Sequence, residues 1–170
     1  MLFRSRLPAP FRVATDVAIP AGAYHWRRYR AEVGTAAKRT ISGQVTWWFG
    51  GFYTGRLDQI QWQGAWHPSA LVAVELTGER NVGDLPEGRF VQAVSGTRVR
   101  FNVSPDMEVS SYWQYDTESK SVGTNSKLRW TFRALGDLFV IYNHNVRQLG
   151  DRWQLDSNQL LAKLQYAFRY

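Results

Sequence analysis

Ala162-Lys163-Leu164-Gln165-Tyr166-Ala167-Phe168-Arg169-Tyr170 closes the chain with a period of two. Counted back from the C-terminus, Tyr170, Phe168, Tyr166, Leu164 and Ala162 fall on one face of a strand. Arg169, Gln165 and Lys163 fall on the other. A soluble sheet also alternates, but it seldom leaves an aromatic stripe at the end of the chain with neither a turn nor a polar cap behind it. Contact with a bilayer accounts for such a stripe, because lipid-facing and lumen-facing residues alternate along a transmembrane strand.

The same period runs upstream. In 39–49, Ile41, Val45, Trp47 and Phe49 alternate with Thr40, Ser42, Gln44 and Thr46, and in 58–67, Ile60, Trp62 and Trp66 alternate with Gln59, Gln61, Gln63 and His67. In 70–79, Val72, Val74 and Leu76 alternate with Ala73, Glu75 and Thr77. Segment 89–103 sets Val91, Ala93, Val99, Phe101 and Val103 against Gln92, Arg98, Arg100 and Asn102. Segment 107–118 sets Val109, Trp113 and Tyr115 against Glu108, Ser110, Gln114 and Asp116, and 126–133 sets Leu128, Trp130 and Phe132 against Lys127, Arg129, Thr131 and Arg133. Segments 11–19, 23–34 and 137–147 alternate less regularly, and with 160–170 they bring the expected total to about ten strands.

No helical period persists over a useful length. The expected fold is therefore all-β, an antiparallel up-and-down meander forming a transmembrane β-barrel, or an arc of a larger one, over residues 11–170. Residues 1–10 read as an N-terminal stub or a truncated upstream strand. The expected lipid-facing or girdle residues are Trp47, Phe49, Ile60, Trp62, Trp66, Val74, Val99, Phe101, Trp113, Leu128, Trp130 and Phe132.

The connections add a second pattern. Long links are expected at 148–158, 117–125 and 81–88, and short ones at 134–137, 104–106 and 67–69, so that long and short alternate. Transmembrane barrels have short turns on one side and longer loops on the other. The tips around Pro68, Pro105 and Gly136 should then lie at one end with Tyr170, and those around Pro86, Ser121 and Arg152 at the other.

Composition narrows the function classes. The aromatic share is 15%, with eight Trp and eight Tyr, so amphipathic rings are unusually abundant. No run approaches the roughly 18 apolar residues of a membrane helix, but a membrane strand needs only about 9–11 residues, and a mean hydropathy of −0.38 does not exclude one. With no cysteine, neither a disulfide framework nor thiolate chemistry is available. The net charge of +7 and pI near 10.0 invite a nucleic-acid reading. The basic residues argue against it, because they stand at strand-alternate positions such as Arg98 and Arg100, or Lys127 and Arg129, and form neither a tail nor a helix face. Met1 to Pro8 contains no 7–15-residue apolar stretch and is no secretory signal, so the chain reads as the C-terminal piece of a longer protein.

No catalytic, cofactor or metal site is expected. His25, His67 and His144 have no second ligand at metal-binding spacing. Asn143-His144-Asn145 with Ser157 could supply a His-Asn-Ser arrangement only if the side chains converged. Gly50, Gly51 and Gly55 lack the following Lys-Ser/Thr of a phosphate loop. Trp47, Trp48, Phe49, Phe52 and Tyr53 form a dense aromatic stretch, read as interfacial girdle ahead of a sugar-stacking platform. Asp116, Glu118, Asp151 and Asp156, in expected outer loops, read as solvated charge ahead of a calcium site or a bridge to lipopolysaccharide cations.

One resemblance goes further than pattern. Ser126-Lys127-Leu128-Arg129-Trp130-Thr131-Phe132-Arg133-Ala134-Leu135-Gly136-Asp137-Leu138-Phe139-Val140-Ile141-Tyr142-Asn143 carries it, with Gln114-Tyr115-Asp116, Gly50-Gly51-Phe52-Tyr53-Thr54-Gly55, Leu85-Pro86-Glu87-Gly88-Arg89-Phe90 and the terminal strand. Together they resemble the C-terminal β-barrel region of a family of bacterial outer-membrane proteins of unassigned function that carry an upstream domain resembling a family-nine carbohydrate-binding module. The resemblance implies a bacterial outer-membrane location, outer-membrane lipid and lipopolysaccharide as surroundings, and carbohydrate only through the upstream domain. It also implies that Ala162, Leu164, Tyr166, Phe168 and Tyr170 resemble the assembly signal read by the barrel-assembly machinery. Two alternatives stand beside it: a soluble antiparallel β-barrel holding a small apolar ligand, and a barrel-embedded hydrolase.

Overall fold

Alternation of β-branched and aromatic residues with amides and hydroxyls favours a pleated surface, and strands carry almost the whole chain in the computed structural model, which describes residues 1–168. In chain order they are β1 (Leu2–Leu7), β2 (Phe11–Ala14), β3 (Val17–Ile19), β4 (Gly22–Gly34), β5 (Ile41–Phe52) and β6 (Gly55–Trp66). There follow β7 (Val72–Leu85), β8 (Gly88–Ser104), β9 (Met107–Asp116), β10 (Ser121–Arg133), β11 (Gly136–Leu149) and β12 (Arg152–Tyr166). Ten of them form one antiparallel sheet in the order β1-β4-β5-β6-β7-β8-β9-β10-β11-β12, with β1 and β12 as its two edges. From β4 onward each strand pairs with the next in sequence, which is the up-and-down meander expected.

The sheet has the expected number of strands but a different membership. Leu2–Leu7, expected as a stub or a truncated upstream strand, is a strand that pairs with β4 from Leu2 opposite Arg27 to Leu7 opposite Gly22. Segment 11–19, expected as a sheet strand, folds off as the separate hairpin β2–β3. Pro10 and Pro20 bracket this hairpin. Proline has no N–H for a ladder, so the chain leaves the sheet at one and returns after the other.

The alternation of long and short links is not present. Asn81–Leu85 continues β7, so that only Pro86-Glu87 turns the chain, while 121–125 belongs to β10 and 152–158 to β12. The longest connections among the sheet strands from β4 onward are instead 35–40 and 67–71, both at the end where short turns were expected. Turn-forming residues misled the reading. Asn81, Gly83 and Gly123 sit in register within the ladder, where a side-chain amide and bare backbones serve the polar face. The antiparallel succession still places Pro68, Pro105 and Gly136 at one end of the sheet. Ala167 joins them, its N–H donating to the Leu135 carbonyl at 2.9 Å. Pro86, Ser121 and Arg152 lie at the other end; Tyr170 lies outside the described residues.

Hydrophobic burial is concentrated in one small place. Val17, Ile19, Leu57, Leu85 and Phe90 form the buried core, with Leu7, Val13, Tyr24, Phe52 and Tyr53 packed around it. Leu57 and Phe90 are both in register with Gly83 and share a face with Gln59, Asn81 and Gln92. The hairpin therefore packs on the polar face of the sheet, at the end nearest the Pro86-Glu87 turn. The Gln92 side-chain amide fixes it by donating to the Val13 carbonyl at 2.9 Å.

Of the glycines over which aromatic rings lie, Gly78 and Gly83 are the most closely covered. A Cβ on Gly78 would run into the Trp62 indole, and one on Gly83 into the Phe90 ring. An aromatic ring laid over a strand glycine shields its bare backbone and pins the register. Gly78→Ala should destabilise the folded sheet by about 1–3 kcal/mol through overpacking. Trp62→Ala combined with it should cost less than the sum of the two, since the residues share one contact. Urea titration followed by fluorescence checks both; strict additivity would mean that the ring does not depend on the glycine.

Candidate functional site: two faces of one sheet

Direct partners in an antiparallel ladder point to the same side, so the register alone sorts the side chains. One row runs Val45, Trp62, Gly78, Ser95, Tyr115, Val122, Val146. Beyond an intervening row of Gly43, Gly64, Leu76, Thr97, Trp113, Thr124, His144 and Asn158 run Ile41, Trp66, Val74, Val99, Ser111, Ser126, Tyr142, Leu160 and then Val72, Phe101, Val109, Leu128, Val140, Ala162. Trp47 with Ile60, Phe49 with Tyr29, Trp113 with Thr124, and Trp130 with Leu138 and Leu164 complete this face. Phe132 stands beside Trp130, ring to ring at 6.1 Å. Every residue expected to be lipid-facing or girdle thus shares one face.

Among the described residues nothing is packed on that face. None of its residues belongs to the buried core, and Trp66, Phe101, Trp113 and Trp130 are each more than two-fifths exposed. From Val122 to Phe132 on β10 the apolar stripe runs about 33 Å along the strand, at roughly 3.3 Å per residue. Toward the Pro86-Glu87 turn it ends in charge: Arg80 stands between Ile60 and Ala93, and Asp58, Arg56, Asp84 and Arg89 follow. Ser111 and Ser126, two hydroxyls within it, bond each other at 2.7 Å.

The opposite face is a bonded polar network. Glu79 accepts from the side-chain amides of Gln59 at 2.9 Å, Gln61 at 2.8 Å and Asn81 at 2.7 Å. Arg28 donates to Gln59, Thr46 to Glu32, Gln63 to Gln44 and Asn125 to Asn143. Arg30 pairs with Glu32. A cleft of about 670 Å³ opens over this network, lined by Gln44, Gln61, Gln63, Glu79, Asn81 and Tyr112 among others. β11 and β12 depart from the rule, for Phe139, Ile141 and Leu161 bring apolar side chains to the polar face as well.

The other sequence candidates separate. The stretch 47–53 is no single platform: Trp47 and Phe49 meet at 4.4 Å on the apolar face, while Trp48 lies under Arg28 and Arg30 on the polar one. Phe52 and Tyr53 turn to Trp26 beside the hairpin. Asn145 donates to Ser157 at 2.8 Å, but His144, one residue away, points to the other face and stacks on Tyr142. Period-two geometry thus prevents a His-Asn-Ser convergence. Asp116 accepts from the Glu118 N–H and the Ser119 hydroxyl in its own turn, Glu118 accepts from Gln92, and Asp156 sits 3.7 Å from Arg147. No group of three His, Asp or Glu side chains among the described residues is placed to hold a metal ion.

Ala162, Leu164 and Tyr166 face the apolar side from β12, in register with Val140, Leu138 and Gly136. Phe168 follows the strand with its ring 4.8 Å from Tyr166, and Leu164 and Phe168 are 68% and 75% exposed. No family model, curated protein or solved structure matches the chain. The hairpin plug and the carboxylate at the centre of the amide network were missed in the sequence. The bracketing prolines could have signalled the first; nothing local signals the second, because Gln59 and Gln61 reach Glu79 only through the register of β6 and β7.

Proposed function

We propose that the chain is the C-terminal portion of a bacterial outer-membrane β-barrel protein, its sheet forming barrel wall that serves as a membrane anchor or transport path. The observation that carries this reading is the division of the sheet: a mainly apolar face with nothing among the described residues packed on it, backed by a polar face whose groups bond one another and which bears the packed core. Lipid accepts side chains that lose nothing by leaving water, whereas amides and guanidinium groups need water or partners. At a tilt of roughly 45° a stripe of about 33 Å covers about 23 Å of membrane, close to the ~25 Å apolar band of outer-membrane barrels. A soluble barrel with an apolar ligand would need Val99, Leu128 and Trp130 to converge on a core, yet the core of this chain lies on the face they turn away from.

On this reading outer-membrane lipid and lipopolysaccharide cover the apolar face, and the barrel-assembly machinery reads the stripe of β12. Carbohydrate enters only through an upstream domain. The test uses the chain's own indoles. Single-Trp variants folded into phosphatidylcholine vesicles containing brominated lipid should show strong quenching for Trp66, Trp113 or Trp130 and weak quenching for Trp26 or Trp48. Equal quenching of Trp48 and Trp130, or a chain that stays monomeric in water and takes up no lipid, would overturn the proposal.

A further inference from the structure

On the polar face, β8, β9 and β10 place Ser110 directly between Arg100 and Lys127, each its partner in the ladder. Two inter-strand spacings separate the two cations, about 10 Å at the backbone. The short serine side chain forms the floor between them. The next row, Arg98, Tyr112 and Asn125, adds a third cation and two further polar groups. Together they line a hollow of about 450 Å³, with Glu108 also on its lining.

The charges are poorly matched within the sheet. Arg100 and Arg98 share a single carboxylate, Glu75, at 2.9 and 4.0 Å. Arg98 also lies over the Tyr112 ring, and the Lys127 ammonium rests 5.4 Å from the Phe139 ring. Neither Lys127 nor Glu108 forms an ion pair among the described residues. A hydroxyl floor flanked by a guanidinium and an uncompensated ammonium suits an oxyanion, which accepts charge-assisted hydrogen bonds from several donors at once. Glu108 is the one acidic group on its lining and opposes such a guest.

We infer that the hollow over Ser110 is a binding station for a small free oxyanion of the phosphate class, held by Arg100, Lys127 and Arg98 and opposed by Glu108. Charged side chains lining a pore select ions by sign. The inference rests on the polar face being the water-filled side of the sheet, and it makes the path an anion-preferring one.

The experiment is calorimetric titration of the full chain, folded in zwitterionic micelles at low ionic strength, with inorganic phosphate. Saturable binding is expected, with no response to chloride at the same concentration. Lys127→Gln should weaken it about tenfold, the loss of one charge-assisted contact. Glu108→Gln should tighten it about threefold by removing a like charge. Lys120→Gln, the same charge change in the β9–β10 turn about 23 Å along the strand from Lys127, should leave affinity within about twofold, since a charge acting across water at that distance changes the local potential only slightly. Because Lys127 has no ion pair to lose, its variant keeps the fold, which the circular dichroism of each variant verifies. No saturable binding by the folded chain, or equal affinity for wild type and Lys127→Gln, overturns the inference. Competition by phosphatidylglycerol doped into the micelles would also overturn it, by making a lipid head group the ligand. The brominated-lipid pattern is read independently, so the membrane reading and the anion station fail separately.

Discussion

Leu128→Arg should nearly abolish insertion of the chain into bilayers, whereas Ser110→Arg, the same charge added on the other face of a neighbouring strand, should leave insertion intact. Leu128 lies mid-row on the apolar face between Val109 and Val140, far from either end of its strand. An arginine at the lipid-facing midplane of a barrel costs about 2–4 kcal/mol, falling to about 0–1 near the interfaces. Arg80 tests the depth dependence from within, since it already stands on the apolar face but where the charged end begins. Its stem can lie along Ile60 while the guanidinium reaches the interface. Folding yield into vesicles from urea, scored for both variants, decides the matter; equal yields would remove the lipid from that face.

Ile19→Ala should release the hairpin β2–β3 while the sheet persists. Ile19 is fully buried in the core that, among the described residues, joins the two, and truncating such a side chain costs about 2–5 kcal/mol. Apart from that core, the hairpin is tied down chiefly by the amide of Gln92. Amide hydrogens of Val17 and Ala18 should then exchange at rates approaching those of an unfolded chain, and those of β6, β7 and β8 should stay protected. Loss of protection across all five strands would mean that the hairpin is an integral part of the sheet's stability; no change would mean that the core is not what holds it.

The face assignment was legible in the sequence because it depends on a period of two, which no tertiary contact can override without a bulge. Ile60, Trp62 and Trp66 share a side whatever they pair with. The placement of Ile19 was not legible, since Phe11-Arg12-Val13-Ala14 and Val17-Ala18-Ile19 alternate as the sheet strands do and nothing local says which sheet a strand joins. Loop lengths misled for a related reason. Asn81 and Gly83 have turn-forming chemistry, but on a polar face an asparagine is a ladder residue with a partner, here Glu79, and a glycine is room for the ring of Phe90. The cradle over Ser110 was half legible: the basic residues stood out at alternate positions, but only the register of three strands sets Arg100 and Lys127 on either side of one small hydroxyl.

The meander has a kinetic consequence. From β4 to β12 each strand pairs with its sequence neighbour, and several of the reversals, at Tyr53-Thr54, Pro86-Glu87, Pro105-Asp106, Ala134-Leu135 and Gly150-Asp151, use only two residues. Closing so short a segment carries a small entropic penalty, and hairpins of this kind form in about 1–10 μs in isolation. Low sequence separation between contacts also speeds folding as a whole. The sheet can therefore grow by adding one strand at a time to an existing edge, each addition nearly independent of chain still to come. Only the pairing of β1 with β4 must wait, because the excursion through the hairpin has to be folded back first. A nascent intermediate would present β4 to β12 already zipped, with the N-terminal strand as the last to dock.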